Sequence, residues 1–178
     1  HHGKTPPCCM AIIENGIRDI YIAMSDPNPI VNGKGIDFFR SKGLNVQAKI
    51  LEEEAQKINR GYSNWISTKK PLVIGKIAQD ERGFIAKKGA QIWITGNTSN
   101  ENVHKLRSSV DAIMIGKNTA LIDNPQLTVR EIIGFNPIRI VLDTNRTLPY
   151  DLNLLNDNKS ETIIMCSNKK FQDNKTSH

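Results

Sequence analysis

Long apolar runs are missing from this 178-residue chain. None approaches the ~20 residues that a membrane-spanning helix needs, so no membrane partner is expected. Aromatics are scarce, at 6%, and they do not interleave with arginines as a base-stacking platform requires. The net charge of +6 is spread along the chain rather than gathered into a stripe. That pattern argues against nucleic acid; it reads first as a solvated lysine-rich surface and also suits a small phosphorylated substrate. Cys8, Cys9 and Cys166 form an odd set that resembles no secreted disulfide framework, so a reducing cytoplasm is expected. No signal peptide opens the chain, and neither does Met. The start at His1-His2-Gly3 leads us to expect an internal piece of a longer protein.

What is present alternates helix and strand. Cys9 to Glu14 reads as a short helix stopped by Asn15-Gly16, and Asp19 to Met24 as a buried strand. Asp26-Pro27-Asn28-Pro29 reads as a turn. Ile36 to Lys42 is expected to be a helix ended by Gly43, Val46 to Ile50 a strand, and Leu51 to about Ile66 one long amphipathic helix with Glu52, Glu53 and Glu54 in its first turn. After a linker at Ser67-Thr68-Lys69-Lys70-Pro71, strands are expected at Leu72 to Ala78, Ala112 to Gly116, Ile138 to Asp143 and Thr162 to Cys166. Gln91 to Thr95 reads as extended, Asn100 to Ser108 as a helix, and the Ile138 strand as apolar and ending in an acid. The class is α/β with crossover connections.

The first eight residues are the most informative. Pro6-Pro7 makes a rigid approach to a helix start, and Cys8 then sits at the helix N-terminus, where partial positive charge favours a thiolate, the form that binds zinc. Lys4 and Thr5 add a cation and a hydroxyl, a natural phosphate contact. An isolated Cys in such a place is as readily a buried thiol. The string His1-His2-Gly3-Lys4-Thr5-Pro6-Pro7-Cys8, however, resembles the second half of the zinc signature of the diaminohydroxyphosphoribosylaminopyrimidine deaminase domain. The similarity continues through Glu14-Asn15-Gly16, Asp26-Pro27-Asn28-Pro29, Asn32-Gly33-Lys34-Gly35 and Leu51-Glu52-Glu53-Glu54-Ala55. It implies Cys8 as a zinc ligand and His1, Lys4 and Thr5 on the ribose-phosphate side. The catalytic His-x-Glu of that signature and its first Pro-Cys belong upstream of His1, so no catalytic residue is assigned. A lone Cys8 cannot hold catalytic zinc, which takes about three protein ligands.

From Pro71 onward the chain resembles the reductase domain of the same bifunctional riboflavin-biosynthesis family, whose fold is dihydrofolate-reductase-like. The motifs are Trp93-Ile94-Thr95, Val103-His104-Lys105-Leu106-Arg107, the run Thr119 to Arg130, and Pro137 to Asp143. The resemblance implies Trp93, Thr119, Asp123 and Thr144 beside NADPH, and Arg107, Leu127 and Arg130 beside the substrate. The chemistry agrees: an arginine forks two hydrogen bonds to a phosphate, and Trp93 offers a flat wall. Singly, each residue also fits a structural role, the arginines in surface ion pairs, Trp93 in a core, Asp123 as an N-cap. The chain departs from the family at Asp80-Glu81-Arg82-Gly83, where S-x-D-G is usual, at Gln91, where a serine is common, and at Asn124, which replaces the second Asp of D-D-P.

The expected organisation is therefore the C-terminal part of a cytidine-deaminase-like domain (1–68) followed by the N-terminal part of a dihydrofolate-reductase-like domain (69–178). The implied parent is a homo-oligomeric bifunctional enzyme with zinc and NADPH. It deaminates a phosphorylated pyrimidine riboside and reduces its ribosyl group to ribityl. This polypeptide by itself is expected to do neither. The alternative is a degenerate, non-catalytic remnant that keeps a phosphate-binding surface. Nucleic-acid deamination shares the zinc chemistry but does not fit Lys4-Thr5 or the attached reductase.

Overall fold

The structure, a computed structural model, describes residues 7–171. The chain divides into two compact units, 1–75 and 76–178.

In the first unit, helix α1 (Cys8–Glu14) leads to strand β1 (Asp19–Ile22), helix α2 (Lys34–Ser41) and strand β2 (Asn45–Ala48). The strands pair in parallel from Asp19↔Asn45 to Ile22↔Ala48, so α2 is the crossover of a β-α-β unit. Its Phe39 is buried, and Gly43, at φ 76°, makes the left-handed turn into β2. β1 is shorter than its apolar run and is not buried; its residues alternate between exposed and half-buried. The single helix expected over 51–66 is two, α3 (Glu52–Ile58) and α4 (Arg60–Thr68). The break falls at Asn59, whose Nδ2 donates back to the Ala55 carbonyl at 2.9 Å. Asn side chains compete with helical backbone bonds in this way, and Gly61 weakens the following turn. The 26–30 turn forms as read: Asp26 Oδ1 accepts the Asn28 N–H at 2.8 Å and also the Tyr62 hydroxyl at 3.0 Å, tying the turn to α4.

In the second unit, helix α5 (Asn97–Ser108), strand β3 (Ala112–Gly116), helix α6 (Lys117–Asp123), strand β4 (Ile138–Leu142), helix α7 (Asn153–Asn156) and strand β5 (Thr162–Met165) build a parallel sheet ordered β3-β4-β5. The registers Ile113↔Arg139, Ile115↔Val141, Arg139↔Thr162 and Val141↔Ile164 put these six residues on one face. That face meets a core of Ala120, Val141, Leu148, Leu152 and Leu154. The other face carries Met114, Leu142, Ile163 and Met165, each between 42 and 53% exposed. One expected strand is corrected. Residues 72–78 form no strand; Val73 and Ile77 are 85 and 70% exposed, so β-branched composition alone has not found them a partner.

The β4 reading also needs correction, because the strand is not apolar throughout. Arg139 lies on its buried face at 1% exposure. Its Nη1 donates to both Asp157 carboxylate oxygens at 2.8 and 2.9 Å and to the Gln126 carbonyl at 3.1 Å, and Nη2 donates to the Ser160 carbonyl. Asp143, also 1% exposed, accepts the backbone N–H groups of Thr147 and Leu148 and so closes the turn after β4. Gly134 lets the 131–137 loop approach the end of α5, since a Cβ there would stand 2.8 Å from Ser108 Cβ.

Candidate functional site

Helix α5 places His104 and Arg107 on one face, three residues apart. Facing them is the segment 124–130, which leaves ordinary backbone geometry twice, at Asn124 (φ 39°) and at Leu127 (φ 55°). Asn124 is a natural left-handed residue. Its side-chain oxygen accepts the Asn153 N–H at 2.8 Å, which gives the Asn at this departure position a structural use. Leu127 is not such a residue, and a bulky side chain at positive φ is strained. Leu127 is buried, and its turn directs the Thr128 carbonyl to Arg107, whose Nη1 donates to it at 2.6 Å. Arg130 comes to the same residue from the other side, Nη1 donating to Thr128 Oγ1 at 3.0 Å. The Arg130 backbone N–H donates to His104 Nδ1 at 3.1 Å, and His104 is 4% exposed.

Two guanidiniums thus converge on Thr128. Neither has a carboxylate within ion-pair distance among the described residues, so the surface ion pair that fits either arginine alone is not what they make. Arg107 is half-buried, its Nε is buried without a hydrogen-bond partner, and burial followed by the charge of Arg130 lowers its pKa. A pair of cations brought together at such a cost, with donors unspent, has the charge and the hydrogen-bond capacity to take an anion. Among the residues expected beside the substrate, Arg107, Leu127 and Arg130 are therefore gathered in one place. His1, Lys4 and Thr5 lie outside the described residues.

The residues expected beside NADPH divide. Thr119 and Asp123 are exposed and one turn apart on α6, which follows the C-terminal end of β3. Thr144 follows the C-terminal end of β4, the neighbouring strand, with Leu142 opposite Gly116. Parallel sheets bind ligands at this end of their strands. The sequence reading missed Lys117, which begins α6 and donates from Nζ to the Thr147 hydroxyl in the turn that holds Thr144. Its only signal is its place directly after the glycine that ends β3. Asp123 ends α6 and so is not an N-cap. Trp93 is 79% exposed and therefore not core. His104 and Thr128 were also missed as site residues. Their signal was the spacing of three to Arg107 and two to Arg130.

Cys8 opens α1 and is exposed. Among the described residues no three His, Cys, Asp or Glu side chains stand close enough to hold a metal. Cys8 by itself therefore makes no zinc centre among the described residues.

Compared with protein families, residues 71–177 match the model described as the RibD C-terminal domain. The chain belongs to that family. Curated RibD relatives include the riboflavin biosynthesis proteins of Aquifex aeolicus, 37% identical over 93% of this chain and 47% of its own length, and of Synechocystis, 37% identical over 100% and 48%. Among solved structures, the diaminohydroxyphosphoribosylaminopyrimidine deaminase/5-amino-6-(5-phosphoribosylamino)uracil reductase of Thermotoga maritima is 35% identical with a TM-score of 0.79, over 93% of this chain and 47% of that one. RibD of Acinetobacter baumannii is 32% identical with a TM-score of 0.82, over 93% and 48%. The chain spans about half the length of the curated relatives it matches. The RibD match includes α5, the 124–130 segment and the β4 end, so every described candidate residue except Cys8 falls within it. Among the described residues no helix is long and apolar enough to cross a membrane.

Proposed function

We propose that residues 69–178 are the N-terminal part of an NADPH-dependent reductase domain acting on a phosphorylated ribosylaminopyrimidine. The observation that carries this reading is the convergence of Arg107 and Arg130 on Thr128 without a carboxylate. Arg107 and Arg130 bind the substrate phosphate, and Leu127 shapes the turn that aims them. Thr119, Asp123 and Thr144 would hold the cofactor at the C-terminal end of the sheet, and Trp93 is assigned to the same cofactor. NADPH, when bound, supplies the hydride that reduces the ribosyl group. The protein's part is to hold the sugar phosphate by its charge and so fix the reacting carbon in one place, which removes translational freedom from the step.

Residues 1–68 are, in the same proposal, the C-terminal part of a cytidine-deaminase-like domain. Cys8 is one zinc ligand there, and His1, Lys4 and Thr5 contact the ribose phosphate. The 178 residues contain no His-x-Glu, so deamination needs groups that they do not supply, and this polypeptide alone turns over neither substrate. The whole protein works on a small molecule in the cytoplasm and assembles as a homo-oligomer.

Expression of the complete reading frame that carries this segment, assayed by NADPH absorbance, tests the proposal. Oxidation that requires the ribosylaminopyrimidine phosphate is expected. NADPH binding without turnover, or neither, would instead favour a remnant that keeps only a phosphate-binding surface.

A further inference from the structure

His104 has no place in the chemistry above, yet it is one of the few buried polar side chains of the second unit. The contact it makes is specific in direction. Arg130 N–H is a donor, so Nδ1 must accept, and the ring proton then sits on Nε2. We propose that His104 is a positioning residue for the phosphate site, its uncharged ring fixing the Arg130 backbone and thereby the guanidinium that Arg130 presents beside Arg107. This rests on the reading of Arg107 and Arg130 as an anion site.

The groups that face His104 are Arg107 from its own helix and Arg130 and Glu131 from the opposing loop. Burial first, then Arg107 and Arg130, hold its pKa below the ordinary 6.5, against a smaller opposing effect of Glu131. Protonation would set an Nδ1–H against the Arg130 N–H, donor against donor, and put a third cation beside two. Charge alone would make the acid form of the site a better anion binder; loss of the Arg130 anchor makes it a worse one. The two accounts differ in sign.

Sulfate separates them, because it stays a dianion between about pH 5 and 8, where an imidazole changes charge. Sulfate titrations of the full chain, followed by NMR, are expected to weaken about three- to tenfold as His104 protonates, the size of one lost hydrogen bond. Ring nitrogen shifts should report the Nε2–H tautomer at the basic end. His104→Asn offers an amide oxygen near the Nδ1 position without titrating, and should bind sulfate with nearly unchanged affinity across the range. His104→Leu should bind weakly throughout. Affinity that is flat or rises toward acid in the wild type, or an Asn variant that follows the wild-type profile, overturns the inference. If wild-type protein does not bind sulfate, or binds it equally after Arg107→Ala, the anion-site reading fails and this inference falls with it.

Discussion

Asp157→Ala should destabilise the second unit by about 3–5 kcal/mol, the cost of leaving a buried charge without its partner. Arg139 lies in the central strand with its side chain 2% exposed, against 11% for Asp157. The carboxylate takes two of its hydrogen bonds, and the carbonyls of Gln126 and Ser160 take the others. Removing Asp157 leaves the guanidinium with carbonyls only. Since a domain holds only ~5–15 kcal/mol in all, the variant should show a much lower urea midpoint. Pairing the change with Arg139→Met should recover much of the loss, because an apolar replacement of the whole pair removes the desolvation problem. The pH dependence follows. Burial would raise the Asp157 pKa, but the Lys159 N–H and the bonds and charge of Arg139 outweigh it and hold it below the usual 3.8. A carboxyl depressed in this way stabilises the fold above its unfolded-state value, and that contribution fades as pH falls through the folded value. Wild type and Asp157→Ala should therefore converge in acid. Equal midpoints at neutral pH would mean that the pair contributes nothing.

Arg107→Ala is expected to weaken ribose 5-phosphate binding about 10- to 100-fold, the range of a lost charged hydrogen bond of ~1.5–3 kcal/mol. Arg107→Lys should restore little, because an ammonium cannot reproduce the forked contact or hold the Thr128 carbonyl in the same geometry. Stability should change less than binding: the lost carbonyl bond is offset by relief of a charge held beside Arg130. Calorimetry on wild type and both variants measures the effect, and an unchanged affinity after Arg107→Ala would remove Arg107 from the site.

The sequence was most legible where periodicity and punctuation agreed. Ala112–Gly116 ends in a glycine and is found as read, and α2 runs up to the Gly43 turn. Where composition stood alone, it misled. Residues 72–78 have the apolar and β-branched content of a strand but pair with no neighbour among the described residues, and strand formation depends on neighbours more than on composition. Arg139 was hidden in an apolar string because its partners, Asp157 and Ser160, come roughly twenty positions later. The candidate site was legible only in part. The two arginines stand out in the sequence through their motifs, whereas their meeting at Thr128 depends on a left-handed Leu127 that no propensity predicts.

If a sugar phosphate sits between α5 and the 128–130 segment, backbone amide NMR of the full chain titrated with ribose 5-phosphate will show saturable shifts centred on His104, Arg107, Thr128 and Arg130. Saturable shifts centred elsewhere, or none, would place the phosphate outside this site.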